Sequence, residues 1–247
     1  MRSRPGPSGT IAEHLEAHLA LTEPEIARYA RQLILPGFGP DEQERIRSAR
    51  VHVVGAGPVA GPALLSLAQA GVGTLFVDDG ADVAEGDAAS WLYGPEQVGQ
   101  PRLLAALDAV RGASAFVKVR PYATTGVELS ATLVCVSDRG TASKAAERAR
   151  LTGLPHVVAI AEGDGGEVVA VPSGAPCYSC ASRPGAGVHP QPGAAAAVGL
   201  LGAVELLVML SGLAMSSGSG RHIGLVLGRP HVRPTSRIPG CDCANAY

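Results

Sequence analysis

Apolar residues along this chain fall into two alternating patterns. Short runs, Val51-His52-Val53-Val54, Leu75-Phe76-Val77, Phe116 to Val119, Ala131 to Val136 and Val157 to Ala161, read as strands buried on both faces. Between them lie helical spacings: Leu64, Leu65, Leu67 and Ala68, then Leu103 to Val110, then Ala142 to Leu151. Strands that alternate with helices of this length predict an α/β fold with a doubly wound, mostly parallel sheet. From Gly165 the pattern changes to shorter β-like pieces, Glu167 to Val171, Ile223 to Leu227 and His231 to Thr235, around one long apolar helix. This predicts a C-terminal β/helix segment on the same domain.

Upstream, the first ten residues are rich in Pro, Gly and Ser and are expected to be disordered. Helical spacing begins at Ile11 and continues through Leu15 and Leu19. A capping box at Thr22 and Glu25 then starts a second helix, EIARYARQLIL. After the turn at Pro36 to Pro40, a charged helix (DEQERIRSA) leads into the first strand. The chain therefore divides into an extension over 1–21 and a single domain over 22–247, with no internal repeat. His14 and His18 are four apart on one helix face, but lack a third ligand nearby, so a solvated face explains them better than a metal.

Composition excludes several classes. A net charge of −2 with 17% charged residues argues against a nucleic-acid surface. Five cysteines among 247 residues do not make a disulfide scaffold. The N-terminus lacks the layout of a signal peptide, so a cytoplasmic location is expected. The segment Gly193 to Gly212 is long enough to cross a bilayer, but Glu205 near its middle and its many small residues predict a helix buried in protein or at a subunit interface, with no membrane.

The chemistry is concentrated after the first strand, at Gly55-Ala56-Gly57-Pro58-Val59-Ala60-Gly61. A glycine turn between strand and helix can aim backbone N–H groups at a phosphate. Pro58 suits the first helical turn, Ala60 takes the third glycine position, and Asp78 at the end of the second strand is placed to accept from ribose hydroxyls. These features predict nucleotide binding at Gly55, Gly57 and Asp78 in a Rossmann-like fold; a close helix–strand crossing that merely uses glycine is the plainer alternative. No lysine or arginine lies between Arg50 and Arg102, whereas six acids do: Asp78, Asp79, Asp82, Glu85, Asp87 and Glu96.

The flanking sequence decides between kinds of nucleotide protein. Arg28-Tyr29-Ala30-Arg31-Gln32-Leu33-Ile34-Leu35-Pro36-Gly37-Phe38-Gly39 precedes the first strand. Ala70-Gly71-Val72-Gly73, Val98-Gly99-Gln100-Pro101-Arg102, Cys177-Tyr178-Ser179-Cys180 and Pro239-Gly240-Cys241-Asp242-Cys243 follow in order. Together these closely resemble the E1-like adenylyltransferases, the ThiF/MoeB/HesA family, over nearly the whole chain after residue 22. The resemblance implies a homodimer that binds ATP with Mg2+ and adenylates the C-terminal glycine carboxylate of a small ubiquitin-like (β-grasp) sulfur carrier or a peptide. It implies Arg31 as an arginine supplied across the dimer, Asp78 as the ribose aspartate, Asp138 as the metal-side aspartate, and Arg102 in place of a lysine. Matched without a gap from Asp78 to Arg102, Gly80 stands where the family has a second aspartate, Gly86 an asparagine, Ala89 an arginine and Ser90 a glutamine. One transition-state arginine is worth roughly 10³ or more in rate. The two expectations are therefore an adenylating enzyme whose site is remodelled by recruiting Asp79, Asp82 or an arginine from elsewhere, or a pseudoenzyme that keeps the carrier- or peptide-binding role. A dinucleotide oxidoreductase is a third, disfavoured by the RxxRQ helix and the cysteine pairs.

The pairs Cys177/Cys180 and Cys241/Cys243 read as a four-thiolate structural zinc clip. The second is C-x-C where the family is expected to have C-x-x-C, and a redox disulfide at Cys177/Cys180 is the alternative. Cys135, inside a predicted strand, is expected to be a buried hydrophobe. No cysteine lies in the Gly185 to Gly193 loop to act as a thioester nucleophile.

Overall fold

In a computed structural model, which describes residues 21–88, 91–123, 126–182, 187–213, 219–226 and 229–245, the apolar runs assemble into one eight-stranded sheet. The strands are β1 (Arg50–Val54), β2 (Thr74–Asp78), β3 (Lys118–Pro121), β4 (Ala131–Val136), β5 (His156–Glu162), β6 (Gly165–Val171), β7 (Arg221–Val226) and β8 (Arg229–Pro234). Their order is β3-β2-β1-β4-β5-β6-β7-β8. The pairs among β3, β2, β1, β4 and β5 are parallel, and β5 to β8 continue antiparallel. The order reverses between β1 and β4, so their carboxyl ends diverge and open a crevice where ligands of this architecture sit.

Helices cover both faces. The helices are α1 (Glu23–Leu33), α2 (Pro40–Ser48), α3 (Ala60–Ala70), α4 (Arg102–Ala113), α5 (Arg139–Leu151), the single turn α6 (Tyr178–Ala181) and α7 (Pro192–Ser211). On one face α3, α4 and α7 bury Leu64, Leu67, Ala106, Val110, Val198 and Leu206 against Val51, Val53, Leu75 and Leu133. On the other, Ala142 and Ala146 of α5 and Tyr178 of α6 cover Val134, Val158 and Ile160. Alternate residues of β1 and β4 thus serve opposite layers, as a pleated strand requires.

The predicted long helix is α7, and it lies against β4, β5, β6 and α3. A Cβ at Gly199 would overlap the Val59 carbonyl, so glycine there lets α7 meet the turn leading into α3. Glu205 is buried and held 2.9 Å from the Arg221 guanidinium. α7 passes the length and composition test for a membrane span, and part of its surface, at Leu200 and Val204, is exposed.

Of the boundaries that differ from expectation, three have a direct physical cause. The strand expected from Phe116 begins at Lys118, because the edge strand β3 pairs only with β2 and that ladder starts at Thr74. Helix α1 stops at Leu33, leaving Ile34 and Leu35 exposed. Pro58 lies just before α3 rather than in its first turn, since the Ala60 and Gly61 amides both donate to the Gly57 carbonyl and the helix starts from there. The extension over 1–20, with His14 and His18, and the residues Ala89 and Ser90 lie outside the described residues.

Candidate functional site

The glycine turn sits at the carboxyl end of β1, at the crevice. Gly55 has φ +101°, and a Cβ there would strike the Cys135 carbonyl, so this position is closed to L side chains. That contact seats the turn on the end of β4 beside Val136-Ser137-Asp138. The Gly55 amide donates to the Asp78 carbonyl at 2.9 Å, which ties the turn to the end of β2.

The site supplies its own charges. Asp79 Oδ2 accepts from the Ala56 amide at 2.7 Å and its Oδ1 from the Ala81 amide at 2.8 Å. The Arg102 guanidinium lies over Gly57, within 2.8 Å (Nε) and 2.6 Å (Nη2) of Asp87 Oδ2 and 4.0 Å from Asp79. Tyr93 closes the back of the turn, donating to the Ala56 carbonyl at 2.6 Å. Burial raises the pKa of this phenol, so it remains a donor. Thus one turn amide already carries a carboxylate, and the nearby cation is already paired. Gly57 and Val59 keep amides without a hydrogen-bond partner among the described residues. The hollow beside them, bounded by Pro58, Gly86, Trp91, Pro190 and Pro192, measures ≈ 60 Å³, room for only a few waters.

The expected residues are partly brought together. Gly55, Gly57, Asp78, Arg102 and Asp138 gather at one end of the sheet. The Asp78 carboxylate is half-exposed at the end of β2. Asp138 caps α5, accepting from the Thr141 amide at 2.6 Å; hydrogen bonding to Thr141 lowers its pKa and keeps it ionised. Arg31 is exposed on α1, whose Tyr29 packs against Gly71 at the opposite, amino end of the parallel strands, so a single chain does not deliver Arg31 to the turn. Gly80 and Gly86 have open space about them. The neighbouring Asp87, 3% exposed, is the residue that reaches the site, although the gap-free match pointed to Gly86. The sequence offered Asp79 as a recruit to a remodelled site, gave Asp87 only as part of an acidic excess, and did not single out Tyr93.

Behind Asp138, Arg139 turns inward. It forks onto Glu162 at 2.8 and 3.0 Å and reaches Glu167 at 2.8 Å. Glu167 also accepts from Ser182 at 2.6 Å and meets His222 Nε2 at 3.0 Å. Burial alone would raise the Glu167 pKa; hydrogen bonds from His222, Ser182 and Arg139 outweigh it and hold it at about 2.

The four paired cysteines converge. Cys177 Sγ is 3.7 Å from Cys180 and 3.6 Å from Cys241, Cys180 is 3.6 Å from Cys243, and all four sulfurs lie within 4.8 Å of one another. A tetrahedral zinc with Zn–S near 2.3 Å requires S···S edges of about 3.8 Å, so this set can hold one. Cys243 lies in the short 3-10 turn Asp242–Asn245, and Cys241 directly precedes it. Cys135 is fully buried, and burial raises its thiol pKa, which fits the expected inert hydrophobe.

Residues 29–225 match the ThiF family. The chain is 39% identical over 114 residues to the probable adenylyltransferase/sulfurtransferase MoeZ of Mycobacterium tuberculosis, covering 46% of this chain and 29% of MoeZ. It is 40% identical over 102 residues to the sulfur carrier protein adenylyltransferase of Thermus thermophilus, covering 41% of this chain and 38% of that protein. The matched stretches therefore span well under half of these relatives' own lengths. Among solved structures, E. coli MccB with ATP superposes with a TM-score of 0.73 at 16% identity, covering 87% of this chain and 73% of MccB. This likeness concerns the fold.

Proposed function

We propose, from the premise that this chain belongs to the ThiF family, that it adenylates the C-terminal carboxylate of a small ubiquitin-like sulfur carrier or of a peptide. The observation that carries the reading is the glycine turn with Asp78 at the end of β2, both at the crevice between β1 and β4. A carrier carboxylate oxygen attacks the α-phosphorus of ATP, an acyl–phosphate bond forms, and pyrophosphate leaves with the α–β bridging oxygen. ATP supplies the adenylyl group. The free Gly57 and Val59 amides would face its phosphates, Asp78 its ribose, and Asp138 the Mg2+ that balances the pyrophosphate. Arg102 would reach the phosphates once it leaves Asp87. Arg31 would come from the second subunit of a homodimer. The four cysteines would hold a structural Zn2+, and residues 22–247 would act as one cytoplasmic domain.

A second reading has its own observation. Asp79 on the Ala56 amide and Asp87 on Arg102 satisfy one amide of the turn and its nearby cation from within. A pseudoenzyme that only binds the carrier or peptide would keep such a self-paired turn.

ATP–pyrophosphate exchange with magnesium and a carrier ending in Gly-Gly separates the two. Exchange that disappears in Asp138→Ala supports adenylation and removes the pseudoenzyme. Carrier binding by calorimetry with no exchange, for carriers and peptides alike, removes adenylation.

A further inference from the structure

The buried polar cluster behind Asp138 takes no part in the chemistry proposed above. At its centre Glu167 of β6, 5% exposed, is met from several elements at once. Arg139 of α5 reaches it at 2.8 Å and His222 of β7 at 3.0 Å. Tyr178 of α6 stands at 3.3 Å, and Ser182, just beyond that turn, donates to it at 2.6 Å while accepting from Arg139 at 3.1 Å. Well-packed apolar residues often stabilise a core as well as a buried ion network does, so stability alone does not account for this one.

The cluster joins two sites. At one end Arg139 directly follows Asp138, the N-cap of α5. The Asp138 carboxylate is exposed and accepts from Thr141 of its own helical turn, which does not fix that turn against the neighbouring strands. Arg139 does so, forking onto Glu162 at the end of β5 while it holds Glu167 on β6. At the other end, the single turn α6 carries two sets of side chains. Tyr178 and Ser182, four apart, meet Glu167, whereas Cys177 and Cys180, three apart, meet Cys241 and Cys243. The turn that completes the sulfur cluster is thus the turn that holds Glu167.

We infer that Glu167 is a positioning residue: through Arg139 it sets the place of Asp138 at the crevice, and through Tyr178 and Ser182 it makes that place depend on closure of the cysteine cluster. Opening the cluster loosens α6, withdraws Ser182 and Tyr178 from Glu167, and slackens the hold on Arg139. The part given to Asp138, facing Mg2+, rests on the adenylation reading; the coupling between the two sites does not.

The first test reads the coupling on the full chain without nucleotide. The Thr141 and Ala142 amides donate to Asp138, so their hydrogen exchange reports on its place. Stripping zinc with a chelator is expected to speed their exchange about tenfold. The double variant Tyr178→Phe, Ser182→Ala severs α6 from Glu167 and leaves Arg139 on Glu162. There the two amides are expected to exchange at the faster rate already and to ignore the chelator. No effect of the chelator in the parent would overturn the inference, and so would an equal effect in parent and variant, which places the route elsewhere. Cys180→Ser opens the cluster in place of the chelator if the protein holds no zinc, and Glu167→Gln replaces the double variant if that fails to fold.

The second test reads the positioning. Glu167→Gln is expected to weaken Mn2+-dependent binding of a fluorescent ATP analogue about tenfold and to leave its metal-free binding within about twofold. Equal losses with and without metal, as general loosening gives, would overturn the positioning role. Coupling by exchange without any binding of metal and nucleotide in the parent would instead remove the adenylation reading and leave the coupling standing.

Discussion

At the residue scale, the site is defined by which carboxylate holds which cation. Asp87 is nearly buried, and removing it strands the Arg102 guanidinium over Gly57. Asp87→Ala is therefore expected to cost about 2–3 kcal/mol, read from urea unfolding midpoints. Asp87→Asn, which keeps the shape and loosens the charge, is expected to tighten binding of a fluorescent ATP analogue severalfold by releasing Arg102. Unchanged nucleotide binding in that variant would mean that Arg102 does not face the phosphates. Glu167 makes a pH prediction. Its folded pKa of about 2 lies below the unfolded 4.5, so its contribution is complete above pH 4.5 and is lost as pH falls toward 2. The difference is about 3 kcal/mol at most. The stability gap between the parent and Glu167→Gln should therefore narrow across that interval, as followed by urea unfolding at each pH; a gap independent of pH would show that the carboxylate charge does not matter.

At the element scale, close approaches carry the architecture. α7 meets the start of α3 at Gly199, where a methyl group would collide with the Val59 carbonyl. Gly199→Ala is expected to lower stability by about 1–3 kcal/mol as the helix is pushed outward, visible as a drop of several degrees in Tm. Gly193, on the same helix with nothing within 4 Å of a Cβ, is the control: Gly193→Ala should leave Tm nearly unchanged. The elements themselves were legible in the sequence. Val51 to Val54 and Ala131 to Val136 could only be buried strands, and the alternation with helices left a parallel sheet. Their ends were less legible, because hydrogen bonding across the sheet sets where a ladder begins. Lys118 rather than Phe116 opens β3 for this reason. The candidate site was legible as a turn, in Gly55, Gly57 and Asp78, but the roles of Asp79, Asp87 and Tyr93 were not. Whether an acid near a glycine turn points at solvent, at a backbone amide or at an arginine depends on loop geometry that no periodicity encodes.

At the scale of the whole molecule, the cysteine cluster joins α6, between β6 and α7, to the C-terminal turn. Cys177 and Cys180 lie more than sixty positions from Cys241 and Cys243, so a metal there closes a long loop. Metal analysis is expected to return about one zinc per chain, with a chelator or Cys180→Ser lowering both zinc content and Tm. A metal-free protein of unchanged Tm would leave the clip without a structural role.

The sequence by itself determined the layered α/β fold, the position of the glycine turn and the kinship of the chain, because strand runs, helix spacing and ordered motifs are local patterns. Only the tertiary structure decided that one amide of the turn and its nearby cation are already paired with the chain's own carboxylates. Asp79 and Asp87 are separated by seven residues in the sequence, and only the fold sets one on the Ala56 amide and the other on Arg102. It also decided that a groove runs along α5 beside the β3–β4 connection, since its walls come from strands and a helix far apart in sequence.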